Sequence, residues 1–420
     1  MGSDKDFKEF ENLPEGWKRV KLGDNTYFKI VGSGIDYFRG YKNYLSTNSV
    51  QGKKITHIEE IITFKNRPSR ANMQPKKYRV AFAKMRNTTK VLLIDEKLEK
   101  DYILSTGFAL LETTINPKFI YQYLLSPFFN KQKDIFAEGT TQEAISNDNF
   151  DKIYITFPEL KPEQQKIAEI LETVDNAIEK TDRIIEKYKR IKQGLMQDLL
   201  TKGIDENGNI RSEETHEFKD SPLGRIPEEW EVVRLGEVFN IRAGGDISRL
   251  SYFDTRDGKF KYPIFSNTLE NKGLYGYSDT FTYPEGCITI TGRGALGYAI
   301  PRFEKFNAII RVLVLIPKFD VDIVFVSEYI NCKVNFVIES TGVPQLTAPK
   351  VVEYYIPLPP LPEQQRIAEI LSQLDQAIEK EQQYKEKLER LKQGLMEDLL
   401  TGKVRVNHLI KEGVKNVSTS

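Results

Sequence analysis

Between Lys65 and Lys90 the chain carries Lys65, Arg67, Arg70, Lys76, Lys77, Arg79, Lys84, Arg86 and Lys90 with no Asp or Glu among them. Ammonium and guanidinium groups neutralise phosphates, and the interleaved Asn66, Asn72, Gln74, Asn87, Thr88 and Thr89 offer hydrogen bonds to phosphate oxygens or base edges. The chemistry on offer is contact with nucleic acid. A sparser second set comprises Arg242 ahead of Gly244-Gly245, Arg249, Arg256, Lys259, Lys261, and Arg293 inside Gly292-Arg293-Gly294. Glycines beside an arginine let backbone approach a phosphate closely. The bland alternative for both sets is a solvated basic surface and ordinary turns.

Catalytic chemistry is harder to find. His57, His216 and His408 lie far apart and show no metal-ligand spacing. A phosphate-cradling GxxxxGK[ST] loop is absent, and so are the Asn-Pro-Pro-aromatic and Asp-Pro-Pro-aromatic tetrapeptides of amino-methyltransferases. Asp95-Glu96-Lys97 and Glu159-Leu160-Lys161 match half of a nuclease motif, which a chain with 29% charged residues produces by chance. The expectation is a chain with no catalytic residue, no metal and no cofactor of its own.

The elements that must position these side chains are set by an internal repeat. PEQQKIAEIL from Pro162 recurs as PEQQRIAEIL from Pro362, and the ungapped match through Thr201 and Thr401 holds 26 identities in 40 positions. A shorter repeat, LPEGWKRVKLGD from Leu13 and IPEEWEVVRLGE from Ile226, contains both tryptophans, Trp17 and Trp230. The order is globule, helix, globule, helix. Each repeated helix has Pro in its first turn and Glu beside it, then apolar residues at heptad-like spacing. Ile167, Ile170, Val174, Ile191 and Leu195, with Ile367, Ile370, Leu374, Leu391 and Leu395, are the expected packing and partner-docking positions. Forty helical residues make a rod of about 60 Å, a spacer between globular parts.

The globules read as mixed α/β: β-rich runs at Val91–Ile94, Ile153–Ile155, Ile288–Ile290 and Ile309–Ile316, with helices expected over Lys118–Leu125 and Val324–Cys332. The boundaries drawn are 13–157 and 226–357 for the globules, 158–203 and 358–404 for the helical repeats, a polar linker at 204–225, and a tail from 405. Lys and Arg outnumber Asp and Glu by 25 to 19 over residues 1–157 but trail by 14 to 16 over 226–357. Contact of the second globule with DNA would therefore depend on a local basic patch or on a partner's positive surface. Gly-containing turns, Glu138–Gln142 and Glu339–Gln345, precede the two helices and suggest a shared structural joint. Two cysteines are too few for a disulfide framework, and no run of about 18 apolar residues is present; a cytoplasmic protein with no membrane partner is expected.

PEQQKIAEIL, KQGLMQDLLT, PEQQRIAEIL, KQGLMEDLLTGKVRV and the IPEEW opening resemble the specificity subunits of Type I restriction-modification systems, over essentially the whole chain. The resemblance implies an α+β chain whose two globules are target-recognition domains. Each would read half of an interrupted, asymmetric site on double-stranded DNA, with the helices packed as an antiparallel coiled coil of pseudo-two-fold character. It implies as partners two methyltransferase subunits and the restriction subunits, on which S-adenosylmethionine, ATP and Mg would act. It assigns no base-contacting residue to a number here. A coiled-coil scaffold that binds proteins and not DNA, and a nuclease acting alone, are the competing readings.

Overall fold

The computed structural model describes residues 13–139, 143–247, 251–337 and 344–410. Arg249 and parts of the two joints, 140–142 and 339–343, lie outside the described residues. The described residues fall into two compact units, one drawn from 1–182 and 383–420 and the other from 183–382. Each unit therefore owns the start of one long helix and the end of the other, a division that no linear boundary drawn through the sequence would give.

In the first unit, strand Trp17–Lys21 pairs antiparallel with Tyr154–Pro158. A four-stranded sheet runs in the order Phe28–Val31, Phe108–Thr113, Val80–Ala83, Val91–Leu93. A second sheet has the order Glu60–Ile62, Lys42–Leu45, Tyr102–Ser105, Ala71–Met73, with its middle pair parallel. The second unit repeats this plan. Glu231–Arg234 pairs with Tyr355–Leu358, and the larger sheet runs Phe239–Ala243, Leu313–Pro317, Cys287–Ile290, Ala299–Arg302. Its smaller sheet runs Tyr252–Phe253, Leu274–Ser278, Tyr262–Phe265, Asn307–Ala308, and the last two strands are again parallel. The expected run Ile309–Ile316 is a strand only from Leu313, because Ile310 and Arg311 take left-handed φ values of 51° and 61° and turn the chain.

The long helices span Lys161–Leu199 and Leu361–Leu400. In the first unit Ile167, Ala168 and Leu171 of one helix join Met396, Leu399 and Leu400 of the other in a core that also holds Trp17, Phe28, Phe119 and Tyr123. In the second unit Ile367, Ala368 and Leu371 join Leu199 and Leu200 around Trp230, Phe239 and Phe325. Within each unit the helix segments run antiparallel: Asp175 meets Lys392 and Asp182 meets Lys385 in the first, and Lys192 meets Asp375 in the second.

Two expected packing positions are corrected. Ile191 and Leu391 are 38% and 51% exposed, outside both cores. The apolar packing of each helix end begins one turn further on, at Leu195 and Leu395, and the helix contacts beside Ile191 and Leu391 are ion pairs, Lys192–Asp375 and Lys392–Asp175. Ile167 and Ile367 are fully buried, Ile170, Leu395, Ile370 and Leu195 pack against the cores, and Val174 and Leu374 are half-buried.

The segment expected as a polar linker is also corrected, since it folds onto the second unit. Ile204 and Arg211 are buried there, and Phe218–Ser221 pairs with Gly224–Pro227 as a hairpin. Its fold depends on Gly203, which ends the long helix with φ 64°. A Cβ at that position would collide with the Glu363 carboxylate, the Trp230 ring and the Arg211 guanidinium. Gly203→Ala is expected to cost about 1–3 kcal/mol through left-handed strain and overpacking combined. Thermal melting checks this, and an unchanged midpoint would remove the close approach as a constraint.

Candidate nucleic-acid interface

The nine cations of 65–90 do not stand together unopposed, as their sequence suggested, because acidic residues from other elements reach several of them. Arg79 pairs with Glu112 at 2.7 Å, Lys77 with Glu96 and Arg86 with Glu143. Lys90 donates to the Thr47 carbonyl at 2.8 Å. Lys84 is half-buried, and burial pushes its ammonium below the usual lysine range. Lys65, Arg70 and Lys76 are exposed, with no ion pair among the described residues. Arg67 lies 4.5 Å over the Phe64 ring.

That ring belongs to an aromatic group. Phe64 makes edge contacts with Tyr37 and Phe38 at 5.1 and 5.8 Å, and Lys42 sits 5.6 Å over Phe38. Tyr37 and Tyr41 are exposed beside them. The smaller sheet of the second unit carries the same kind of surface. Lys259 lies over Phe260 at 4.9 Å, Lys261 over Tyr262 at 5.3 Å, Lys305 over Phe281 at 4.9 Å and Arg256 over Tyr277 at 5.8 Å. Tyr252, Phe253, Tyr275 and Phe281 are exposed. Cations held over aromatic faces keep their charge while losing side-chain freedom, which suits them to backbone phosphates. The sequence reading named Arg256, Lys259 and Lys261 but neither Lys305 nor the rings beneath these cations, because a charge count carries no geometry; Arg256 is also paired to Glu304 at 2.8 Å.

Arg242 is exposed on the larger sheet, and Arg293 donates from Nη2 to Gln345 Oε1 at 3.0 Å. One glycine near each serves a close approach within the protein itself. A Cβ on Gly244 would lie 2.7 Å from the Ala308 backbone, and one on Gly292 would lie 2.6 Å from the Arg311 carbonyl. Gly294, at φ 70°, has open space around it.

The PEQQ words prove to be latches. Gln164 Oε1 accepts the Asn116 N–H at 2.8 Å while Nε2 donates to the Pro158 carbonyl at 2.8 Å. Gln364 repeats this with Asp322 at 3.0 Å and Pro359 at 2.8 Å. Asn116 and Asp322 are the N-caps of helices Pro117–Leu125 and Ile323–Lys333, so one glutamine ties each long helix to its globule. The glutamate before it is buried and takes an arginine from beyond the end of the other long helix. Glu163 receives Arg405 Nε and Nη2 at 2.7 and 2.8 Å, and Glu363 receives both terminal nitrogens of Arg211. Sequence reading treated these glutamates as helix-start charges and placed Arg405 in a tail; only their repetition hinted at more.

The family model of the Type I restriction modification DNA specificity domain matches residues 14–189 and 227–390. The chain belongs to this family. Among its relatives are the Type I restriction enzyme MjaVIII specificity subunit of Methanocaldococcus jannaschii, 28% identical over 97% of both chains. The putative MjaX specificity subunit of the same organism is 34% identical, over 68% of this chain and 67% of that one. The fold is shared with the S subunit of a Type I system from M. genitalium, at TM-score 0.59 and 17% identity over 93% and 97% of the two chains. A chain from another solved type I R-M system aligns at TM-score 0.57 and 21% identity, over 94% and 100%. The specificity subunit is a non-catalytic component of its system, with two mixed α/β units and two long packed helices. No helix among its described residues is long and apolar enough to cross a membrane.

Proposed function

We propose that this specificity subunit reads a bipartite, asymmetric site on double-stranded DNA, one half with each globule, and recruits two methyltransferase subunits and the restriction subunits. The observation that carries the reading is one plan of sheets, latches and aromatic-backed cations built twice on a single chain, with different residues on the two surfaces. Tethering two weak readers multiplies their affinity on one duplex, and a pair of equivalent surfaces suits two identical partners. S-adenosylmethionine, ATP and Mg then act on the partners, in the cytoplasm where the DNA lies.

The test is co-expression with the cognate methyltransferase subunit, followed by single-molecule sequencing of host DNA for methyladenine. A bipartite motif is expected, and exchanging residues 13–157 for those of a relative should change one half only. A folded complex that methylates nothing would favour the protein scaffold. In direct binding, changing Lys65, Arg70 and Lys76 together to Ala is expected to lower the slope of log affinity against log salt by about one for each phosphate no longer neutralised. An unchanged slope would take these three residues off the interface.

A further inference from the structure

In each unit the last two strands of the larger sheet form a hairpin, Val80–Ala83 with Val91–Leu93 and Cys287–Ile290 with Ala299–Arg302. The loops between them, 84–90 and 291–298, occupy the same place in the same topology. Each carries an exposed arginine as its third residue, Arg86 and Arg293. Each is also stitched to the segment ahead of its long helix. Arg86 N–H donates to the Glu143 carbonyl and Ile145 N–H to the Lys84 carbonyl, both at 2.9 Å, and Leu346 N–H donates to the Gly292 carbonyl at 3.0 Å. The two guanidiniums rest on side chains of those segments, Glu143 and Gln345.

A helix holds the first loop within its length, and another holds the second at Ala299, the strand residue that follows it. Lys133 is 1% exposed, and its ammonium donates to the carbonyls of Met85 and Thr88 at 2.7 and 2.6 Å. Its neighbour Asp134 accepts the N–H of Asn87, which sits at φ 55°. In the second unit Asn331 takes both backbone groups of Ala299, at 2.7 and 2.8 Å. Asn267 accepts the Gly292 N–H at 2.7 Å. Burying a lysine to hold two loop carbonyls is costly, and left-handed backbone outside glycine persists only where the surroundings over-determine it. Such expenditure on an exposed loop implies that the position of its tip matters.

We propose that these two equivalent hairpin loops are the base-reading tips of the subunit, Arg86 and Asn87 for one half-site and Arg293 for the other. The proposal rests on the DNA-reading function above. A two-stranded ribbon fits the major groove, where arginine forks onto guanine O6 and N7 and asparagine onto adenine N6 and N7. The shared scaffold with unlike tips, Arg86-Asn87-Thr88-Thr89 against Arg293-Gly294-Ala295-Leu296, is how one fold reads two different half-sites. Lys133 acts as a positioning residue through the loop carbonyls it holds, and Asn331 through Ala299 at the exit of the second loop.

The experiment maps methyladenine in cells carrying the methyltransferase subunit with wild-type, Arg86→Ala, Arg86→Lys, Asn87→Ala or Arg293→Ala subunit. Arg86→Ala and Asn87→Ala should relax or lose one base in one half of the motif, with discrimination there falling about 5- to 100-fold. Arg293→Ala should alter only the other half. Arg86→Lys keeps the charge without the fork and should lose the same base. Arg86 and Arg293 are exposed, so their variants should melt as wild type does; Asn87→Ala, at φ 55°, should melt slightly lower, and Asn87→Gly, which removes the same amide without that strain, should lose the same base. Wild-type motifs in every variant would overturn the loop assignment while leaving the reading of bipartite DNA intact. Loss of both halves together from Arg86→Lys would also overturn it. Absence of any motif from the wild-type complex would overturn the underlying function instead.

Discussion

Glu363→Ala is expected to destabilise the second unit by about 3–5 kcal/mol, the usual cost of removing one partner from a buried ion pair. The Glu363 carboxylate gathers Arg211, the Trp230 indole N–H at 3.1 Å and the Ile204 N–H at 2.9 Å. Removing it strands a guanidinium whose side chain is 9% exposed, and leaves two further buried donors unpaired. Glu229, 3.1 Å from Arg211 Nη2, keeps part of that charge compensated and limits the loss. Arg211→Ala should cost less, because the indole and backbone donors still solvate the carboxylate. The double variant should be less destabilised than the two single losses combined. Thermal melting together with amide exchange over residues 204–234 reads the effect locally. Wild-type protection in Glu363→Ala would show that the latch is ornamental.

The overall plan was legible because its signals are local or repeated. The repeat located both long helices, and the helices expected over Lys118–Leu125 and Val324–Cys332 are found at Pro117–Leu125 and Ile323–Lys333. Charge pairing was not legible, because Glu96, Glu112 and Glu143 lie outside the basic run and reach it only through the fold. The arginine latches escaped for a similar reason: Arg405 and Glu163 are 242 residues apart, and nothing in a heptad pattern points to a buried carboxylate at the start of a helix. Sheet pairing that places loops 84–90 and 291–298 at equivalent positions is likewise non-local, although both arginines were candidates from their neighbours alone. The heptad reading failed at Ile191 and Leu391 because the helix contacts beside them are carried by the ion pairs Lys192–Asp375 and Lys392–Asp175 and not by an apolar seam.

The second large effect falls on the helix pair of the first unit, where the contact expected to be apolar is built around a carboxylate. Asp175 is 6% exposed and is reached by Lys392 at 2.8 Å, Lys53 at 2.9 Å and Gln122 Nε2 at 2.8 Å. Burial by itself would raise its carboxyl pKa; the bonds from Lys392, Gln122 and Lys53 outweigh it and hold the group below the ordinary aspartate value. A carboxyl depressed in the folded state contributes stability that is fully present above its unfolded value of about 3.9 and is lost as pH falls through the folded value. The wild-type unit should therefore hold this contribution at neutral pH and lose it only below about pH 4. Asp175→Ala should remove about 2–3 kcal/mol at pH 7, since the largely buried Lys392 ammonium loses its carboxylate while Lys53 keeps Glu179 at 2.7 Å. The repeat supplies the control. Asp375 meets Lys192 in the second unit, but its side chain is 50% exposed, so Asp375→Ala should cost no more than about 1 kcal/mol. Denaturation of both variants across pH 3 to 7 decides the matter. Equal losses, or a difference between Asp175→Ala and wild type that persists unchanged at pH 3, would show that the buried carboxylate does not hold the two helices together.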